Sequence, residues 1–452
     1  MPSKQMNRRD ALKIGLSSMA YYSTLATTPN WIIKSSHAVP LGNGSDDRIL
    51  VILQHGGGID GLNTVIPRSD DRYYDSELRP NLHVPRGSDI NLDGLNGLHP
   101  KLADLADWYQ KGALSVVQNV GYINPNLSHF SSTDIYEYGQ NPYEGRNNVG
   151  WVGRFFDNEC EGAELIDPLA MVASGTNKVP DALGGLSYFI PPAIKRPSDY
   201  QFDANEDREL RLRAIERLAR IETLDPQLDF LQRSINVAEA SVRDIAEVEE
   251  LETLVPEDSY SGDKLGRGLK LVSKIIRAGF GTRIFYVSQG GYDTHANQID
   301  ASAPLEQGSH PRLLGRFNDS VHAFLTEMER SGNLDRVLLM TFSEFGRRVK
   351  ENGSMGTDHG AANSLFLFGG GVEAGVYGGQ PDLENLVKGN LRHTIDFRSV
   401  YARVIESWFG SDASASVFGE DLYRQTIARE LRQIPFISDP ADPTNVAQWN
   451  LH

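Results

Sequence analysis

The sequence predicts an α/β fold, a mainly parallel sheet sandwiched by helices, and three observations predict it. Short β-branched apolar runs alternate with helical patterns, the order that a parallel sheet with crossover helices requires. Glycine-rich or polar turns follow the apolar runs and hold acidic and imidazole side chains, and open α/β sheets bind ligands at those strand ends. A single block, from about Asp203 to Glu252, is dense in Arg, Glu, Leu and Ala with helical spacing and little strand signal, so it reads as a helical insertion.

Ahead of the first strand, Asn7-Arg8-Arg9-Asp10-Ala11-Leu12-Lys13 leads into an apolar run from Ile14 to Thr27. Paired arginines before a moderately apolar stretch are the address of the bacterial twin-arginine export route, so the twin-arginine translocase is an expected partner and the working location is periplasmic or otherwise extracytoplasmic. The run is interrupted by Ser, Thr and Tyr and falls short of the roughly 20 apolar residues that a membrane span needs. Small residues offer cleavage after Ala38 or Ala26, and the later site is preferred because Pro40 begins the loop into the first strand. The expected organisation is a leader over 1–38 and an α/β domain over 39–452 that includes a helical insertion at 195–260.

Strands are expected at 48–54, 113–118, 282–288, 337–342 and 365–368, and helices at 102–109, 265–278, 313–329 and 399–409. The first strand runs into His55-Gly56-Gly57-Gly58-Ile59-Asp60-Gly61, where glycines let the backbone bend and approach a ligand. Asp60 suits a metal or a helix cap equally. The second strand leads to Asn126-Leu127-Ser128-His129, with Ser128 at a helix start. A hydroxyl there is either a nucleophile beside orphan amide donors or a plain cap, and His129 is a ligand, a base or a packed residue. After the third strand comes Gly291-Tyr292-Asp293-Thr294-His295, whose Asp and His point the same way if the backbone is extended. The fourth strand ends in Ser343-Glu344-Phe345-Gly346-Arg347-Arg348, and Thr357-Asp358-His359-Gly360 precedes the fifth. Carboxylates mixed with imidazoles at successive strand ends suit Zn, Mn or Fe, and suit Ca less well.

These motifs, with Gly97-Leu98-His99-Pro100, Gly150-Trp151-Val152-Gly153-Arg154 and the twin-arginine leader, resemble the bacterial family called domain of unknown function 1501, which is grouped with the alkaline phosphatase and sulfatase-like superfamily. The resemblance implies an alkaline phosphatase-like fold and an exported, metal-dependent hydrolase of phosphate or sulfate esters. It implies Asp60, Asp293, His295, Glu344, Asp358 and His359 as metal ligands and Ser128 as nucleophile with His129 beside it. By their chemistry Arg347, Arg348 or Arg154 suit the transferring anion, since guanidinium pairs with such oxyanions in a bidentate manner, or are solvated or ion-paired side chains. By letters Asp358-His359-Gly360 resembles the superfamily's Asp-His-Gly, but by strand context Ser343-Glu344-Phe345-Gly346 takes that place and His359 is the final histidine. On this favoured match Phe345 replaces a histidine ligand, which puts a complete pair of metal sites in doubt. The alternative is a non-catalytic binding or assembly protein on the same fold.

Charge narrows the partners. The net charge of −16 becomes about −20 once the leader, with Lys4, Arg8, Arg9, Lys13 and Lys34 against Asp10, is removed. Such an acidic surface argues against nucleic acid and anionic lipid, and it makes a highly anionic polymer less suitable as the small-molecule or polysaccharide ester that the resemblance implies. Cys160 is the single cysteine, so no intramolecular disulfide forms, and its acidic neighbours mark it as unreactive. Nothing in the sequence sets an oligomeric state.

Overall fold

The computed structural model describes residues 47–144, 149–160, 169–185, 191–200 and 241–437. The leader over 1–38 and most of the expected insertion, residues 201–240, lie outside them, while residues 241–249 are helical. No helix among the described residues is long and apolar enough to cross a membrane.

Fourteen strands follow in chain order: β1 Ile49–Gly56, β2 Val65–Ile66, β3 Ile90–Asn91, β4 Gly97–Leu98, β5 Leu114–Gly121, β6 Met171–Ser174, β7 Ala193–Ile194, β8 Ile284–Gly290, β9 Val337–Phe342, β10 Gly346–Glu351, β11 Thr357–Gly360, β12 Asn363–Gly369, β13 Gly375–Tyr377 and β14 Ile395–Asp396. The main sheet runs β13-β5-β12-β9-β1-β8-β6-β7, with β14 also on β5. Every pairing in it is parallel except those of β12, which is antiparallel to both β5 and β9. The fold is therefore the expected mainly parallel sheet with one reversed strand. A short return from the β10–β11 hairpin into β12 permits that reversal, since antiparallel neighbours need no crossover helix.

The main helices are α1 Gly61–Thr64, α2 Ala103–Gln110, α3 His129–Tyr138, α4 Trp151–Glu159, α5 Lys264–Ala278, α6 Ser309–Arg330 and α7 Phe397–Arg403. Alternation along β1 shows how the sheet is sandwiched. Leu50 and Ile52 join Phe155, Tyr136 and Tyr401 from α4, α3 and α7 on one face. Ile49, Val51 and Leu53 join Leu105, Leu269 and Phe317 from α2, α5 and α6 on the other. Period-two side chains that are apolar on both faces are what a doubly covered strand requires. Cys160 ends α4 in a buried position, where burial and the carboxylates of Glu159 and Asp157 push its thiol up to about 12, so it stays protonated.

The register sets the functional end. β1 aligns His55 with Gln289 and Gly56 with Gly290 on β8, and Gln54 with Phe342 on β9. Three neighbouring strands thus release their chains at one level, and the loops at 57–60, 291–295 and 343–345 meet there. The segment 357–360, expected only to precede the fifth strand, is itself strand β11, paired antiparallel to β10 with Arg347 opposite His359.

Candidate metal centre

Glycine lets the loops meet. Gly57 has φ +119°, and a Cβ there would stand 2.4 Å from the Asp293 amide nitrogen; at Gly58, with φ +78°, it would stand 2.5 Å from the Phe345 ring. Any larger residue would push the first-strand loop off the other two. The Gly57 amide instead donates to Glu344 Oε1 at 2.8 Å.

Three side chains from three elements converge beyond these loops. The ligand atoms of His129 at the start of α3, Asp293 after β8 and His359 in β11 lie within 4.8 Å of one another. Each imidazole has its tautomer set from behind. His359 Nδ1 donates to the Leu127 carbonyl at 2.8 Å, and His129 Nδ1 donates to Glu344 Oε1 at 2.8 Å. In the neutral rings both Nε2 atoms are then acceptors. They face Asp293 Oδ1 at 3.3 Å each, and the buried Nε2 of His129 has no hydrogen-bond partner. His295 adds a third ring, with Nε2 3.1 Å from Asp293 Oδ1 and 2.9 Å from His359 Nε2, and Nδ1 3.4 Å from Asp358 Oδ1.

Acceptors that face acceptors call for a cation. Bare imidazole nitrogens around a carboxylate repel unless a metal ion or added protons stand between them, and imidazoles with a carboxylate are a donor set for Zn, Mn or Fe. The carboxylate is ready for that role. Burial alone would raise the Asp293 carboxyl, but the Arg347 hydrogen bond and charge, helped by His129 and His359, hold it at about 2. Burial lowers the pKa of His359, which favours the neutral ring that a metal needs. Phe345, fully buried, packs its ring 4.9 Å from that of His129 and 4.6 Å from that of His359, so it braces both.

Of the residues expected here, Ser128, His129, Asp293, His295, Asp358 and His359 share one place, while Asp60, Glu344, Arg347 and Arg154 do different work. Asp60 was expected as a ligand, but its carboxylate is fully buried and spent on Arg79, at 2.7 and 3.1 Å, and on Gln298 Nε2 at 2.6 Å. Glu344 does not join the converging atoms; it orients His129 from behind. Arg347 was expected to meet an anion, yet its side chain is wholly buried and bonded to the carbonyls of Gly57, Gly58, Tyr292 and Thr357 as well as to Asp293. Arg154 likewise holds the carbonyls of Val149, Tyr138 and Val417. Arg348 is exposed; burial raises the Asp358 carboxyl, but hydrogen bonds from Asn352 and His295 and the His295 charge, with a last contribution from Arg348, hold it below its ordinary value.

Ser128 is exposed and makes no side-chain capping bond to α3. Its neighbours are pinned, Leu127 through its carbonyl to His359 and His129 through its ring to Glu344. The serine is thus held beside the cluster with its hydroxyl outside the helix-cap role. His55, also expected at the strand end, is instead buried under it between Tyr292 and Phe317. Arg79 and Gln298 were not anticipated; no motif marks either, and only their three-dimensional partners reveal them.

No curated protein matches the chain in sequence. Similar solved structures include the C-terminal periplasmic domain of EcEptC from Escherichia coli in complex with Zn, with 11% identity over 73% of this chain and 76% of that one and a TM-score of 0.32. Others are an alkaline phosphatase superfamily protein from Vibrio parahaemolyticus (10% identity, 82% and 71% covered, TM-score 0.29) and the alkaline phosphatase of the Antarctic bacterium TAB5 (12%, 73% and 94%, 0.26). Residues 191–414, which carry Asp293, His295, Glu344 and His359, match the family described as protein of unknown function (DUF1501).

Proposed function

We propose that this protein is an exported, divalent-metal-dependent hydrolase of phosphate or sulfate esters. The observation that carries the reading is the convergence of His129, Asp293 and His359, two of them with Nε2 acceptors directed at one carboxylate oxygen. These three residues would hold the ion, with His295 at its exposed side. Zn, Mn or Fe fits the donors better than Ca. A bound divalent metal supplies Lewis acidity to an ester oxygen and lowers the pKa of a hydroxyl or water beside it. Ser128, fixed between two pinned residues, offers the nucleophilic oxygen. Arg348 is an exposed cation for the ester's anionic group, since Arg154 is engaged by backbone carbonyls and Arg347 by backbone carbonyls and Asp293.

That engagement favours a second reading, a binding protein that holds metal without hydrolysis. Elemental analysis of chelator-free protein, followed by phosphate and sulfate ester assays on wild type and Ser128→Ala, separates them. One metal per chain with turnover lost in Ser128→Ala supports the hydrolase. One metal per chain with no turnover on either ester class supports the binding protein, and a folded chain that takes up no metal sinks both. Export through the twin-arginine translocase belongs to the same proposal, and a mature chain recovered outside the cytoplasm that begins after Ala38 supports it.

A further inference from the structure

We infer that Gln298 is a positioning residue that sets the spacing of the metal-binding side chains, an inference that rests on the metal-binding reading above. Its side chain is wholly buried and reaches three separate segments. The amide oxygen accepts from Thr294 Oγ1 at 2.9 Å and from Thr357 Oγ1 at 2.8 Å. The amide nitrogen donates to Asp60 Oδ2 at 2.6 Å. Thr294 sits between Asp293 and His295, and Thr357 comes two residues before His359. A single amide therefore ties the loop that carries one ligand to the strand that carries another, and both to the carboxylate below.

The rest of the network makes this amide a fixed reference point. Asp60 is paired with Arg79, whose guanidinium also donates to the carbonyls of Arg348 and Val349 in β10 and to Asn63 Oδ1. The anchor is thus a buried ion pair with its hydrogen-bonding capacity used, the condition in which such a pair is rigid. Gln298 carries that rigidity to the ligand segments. The amide cannot flip, because the Asp60 carboxylate only accepts: a flip would set the amide oxygen against Asp60 Oδ2 and cost that buried oxygen its donor. Residues behind a metal site that orient its ligands typically change affinity ten- to a hundredfold when removed.

The test is metal affinity, measured by titration of the metal-free full chain with Zn2+, together with the visible spectrum of the Co2+ form. Gln298→Leu is expected to weaken Zn2+ binding about ten- to hundredfold and to alter the Co2+ spectrum. The pair Thr294→Val with Thr357→Val should weaken it by a similar factor, and adding Gln298→Leu to that pair should cost little more. Thr294→Ser with Thr357→Ser, which keeps both hydroxyls, should restore wild-type affinity. Wild-type affinity and spectrum in Gln298→Leu, with only a lowered melting temperature, would overturn the inference and leave the metal reading intact. If Gln298→Leu does not fold, the valine pair decides in the same way. A serine pair as weak as the valine pair also overturns it, and a wild-type chain that binds neither ion overturns both.

Discussion

Two trios of histidines lie near the carboxyl end of the sheet, and they have opposite characters. His55, His99 and His310 are buried: His55 sits edge-on to Tyr292 and Phe317, His99 accepts from the Lys101 amide through Nδ1, and His310 Nε2 lies 3.3 Å from Thr64 Oγ1. Burial pushes their pKa values down to about 3, 3 and 4 respectively. His129, His295 and His359 are partly exposed and converge on Asp293. His55 is the one closest in sequence to the end of β1, so position at a strand end does not make a ligand. The difference is a carboxylate in front and, for His129 and His359, an acceptor behind. His55 and His310 each leave a ring nitrogen buried without a hydrogen-bond partner, whereas in the open trio the Nε2 atoms gather around the Asp293 carboxylate.

The largest effect expected from this contrast is acid lability of the buried trio. Each is a base whose folded pKa lies below its unfolded value of 6.5, so the unfolded chain binds more protons between about pH 4 and 6.5. Their contribution to stability is complete above pH 6.5 and is lost as pH falls through that window. Each histidine contributes a slope of about 1.4 kcal/mol per pH unit inside the window. The lowered carboxyls of Asp60 and Asp293 act separately, since their contribution declines only below pH 3.8. Urea unfolding at pH 7.5, 6.5 and 5.5 should show a steep loss, reduced by about a third in His310→Gln. A flat profile from pH 6.5 to 5.5 would mean that protons reach the buried rings without unfolding.

Next in size is the loss of metal from the open trio. His359→Ala removes one of three converging donors, and the expected loss is at least about 100-fold in Zn2+ affinity, equivalent to about 2.7 kcal/mol. The metal-free protein should unfold at nearly the wild-type urea concentration, because that ring is not part of the apolar core. His310→Gln should do the reverse, lowering or raising stability with pH while it leaves Zn2+ affinity near wild type. Equal Zn2+ affinity in wild type and His359→Ala would remove His359 from the ligand set.

Legibility in the sequence followed the same divide between local and long-range causes. Five strands of the main sheet were readable because each is a largely apolar run covered on both faces, as β9 shows with its boundaries at Val337 and Phe342. The β10–β11 hairpin was not, since Thr357-Asp358-His359-Gly360 has no apolar alternation and becomes a strand only through pairing with β10. Asp293, His295 and His359 could be found because Gly-rich turns and mixed ligand types are local signals. The roles of Asp60 and Arg347 could not be. Both depend on partners, Arg79 for one and four backbone carbonyls for the other, whose positions are set by the tertiary fold.

The smallest expected effect sharpens the contrast most, because it leaves every converging atom in place. Glu344→Gln keeps an oxygen that can accept from the Gly57 amide and from His129 Nδ1, so the loop junction and the ring orientation survive. What it removes is charge. A carboxylate behind an imidazole strengthens the lone pair at the opposite nitrogen, and an amide does so less. Zn2+ affinity should fall about tenfold, at the lower end of the range for such partners, with melting of the metal-free chain little changed. Glu344→Leu should cost more, since the buried Gly57 amide and His129 Nδ1 both lose their acceptor. If Gln and Leu weaken Zn2+ binding equally, the charge of Glu344 carries the effect; if Gln is indistinguishable from wild type, geometry does, and the open trio differs from the buried one by placement of its rings alone.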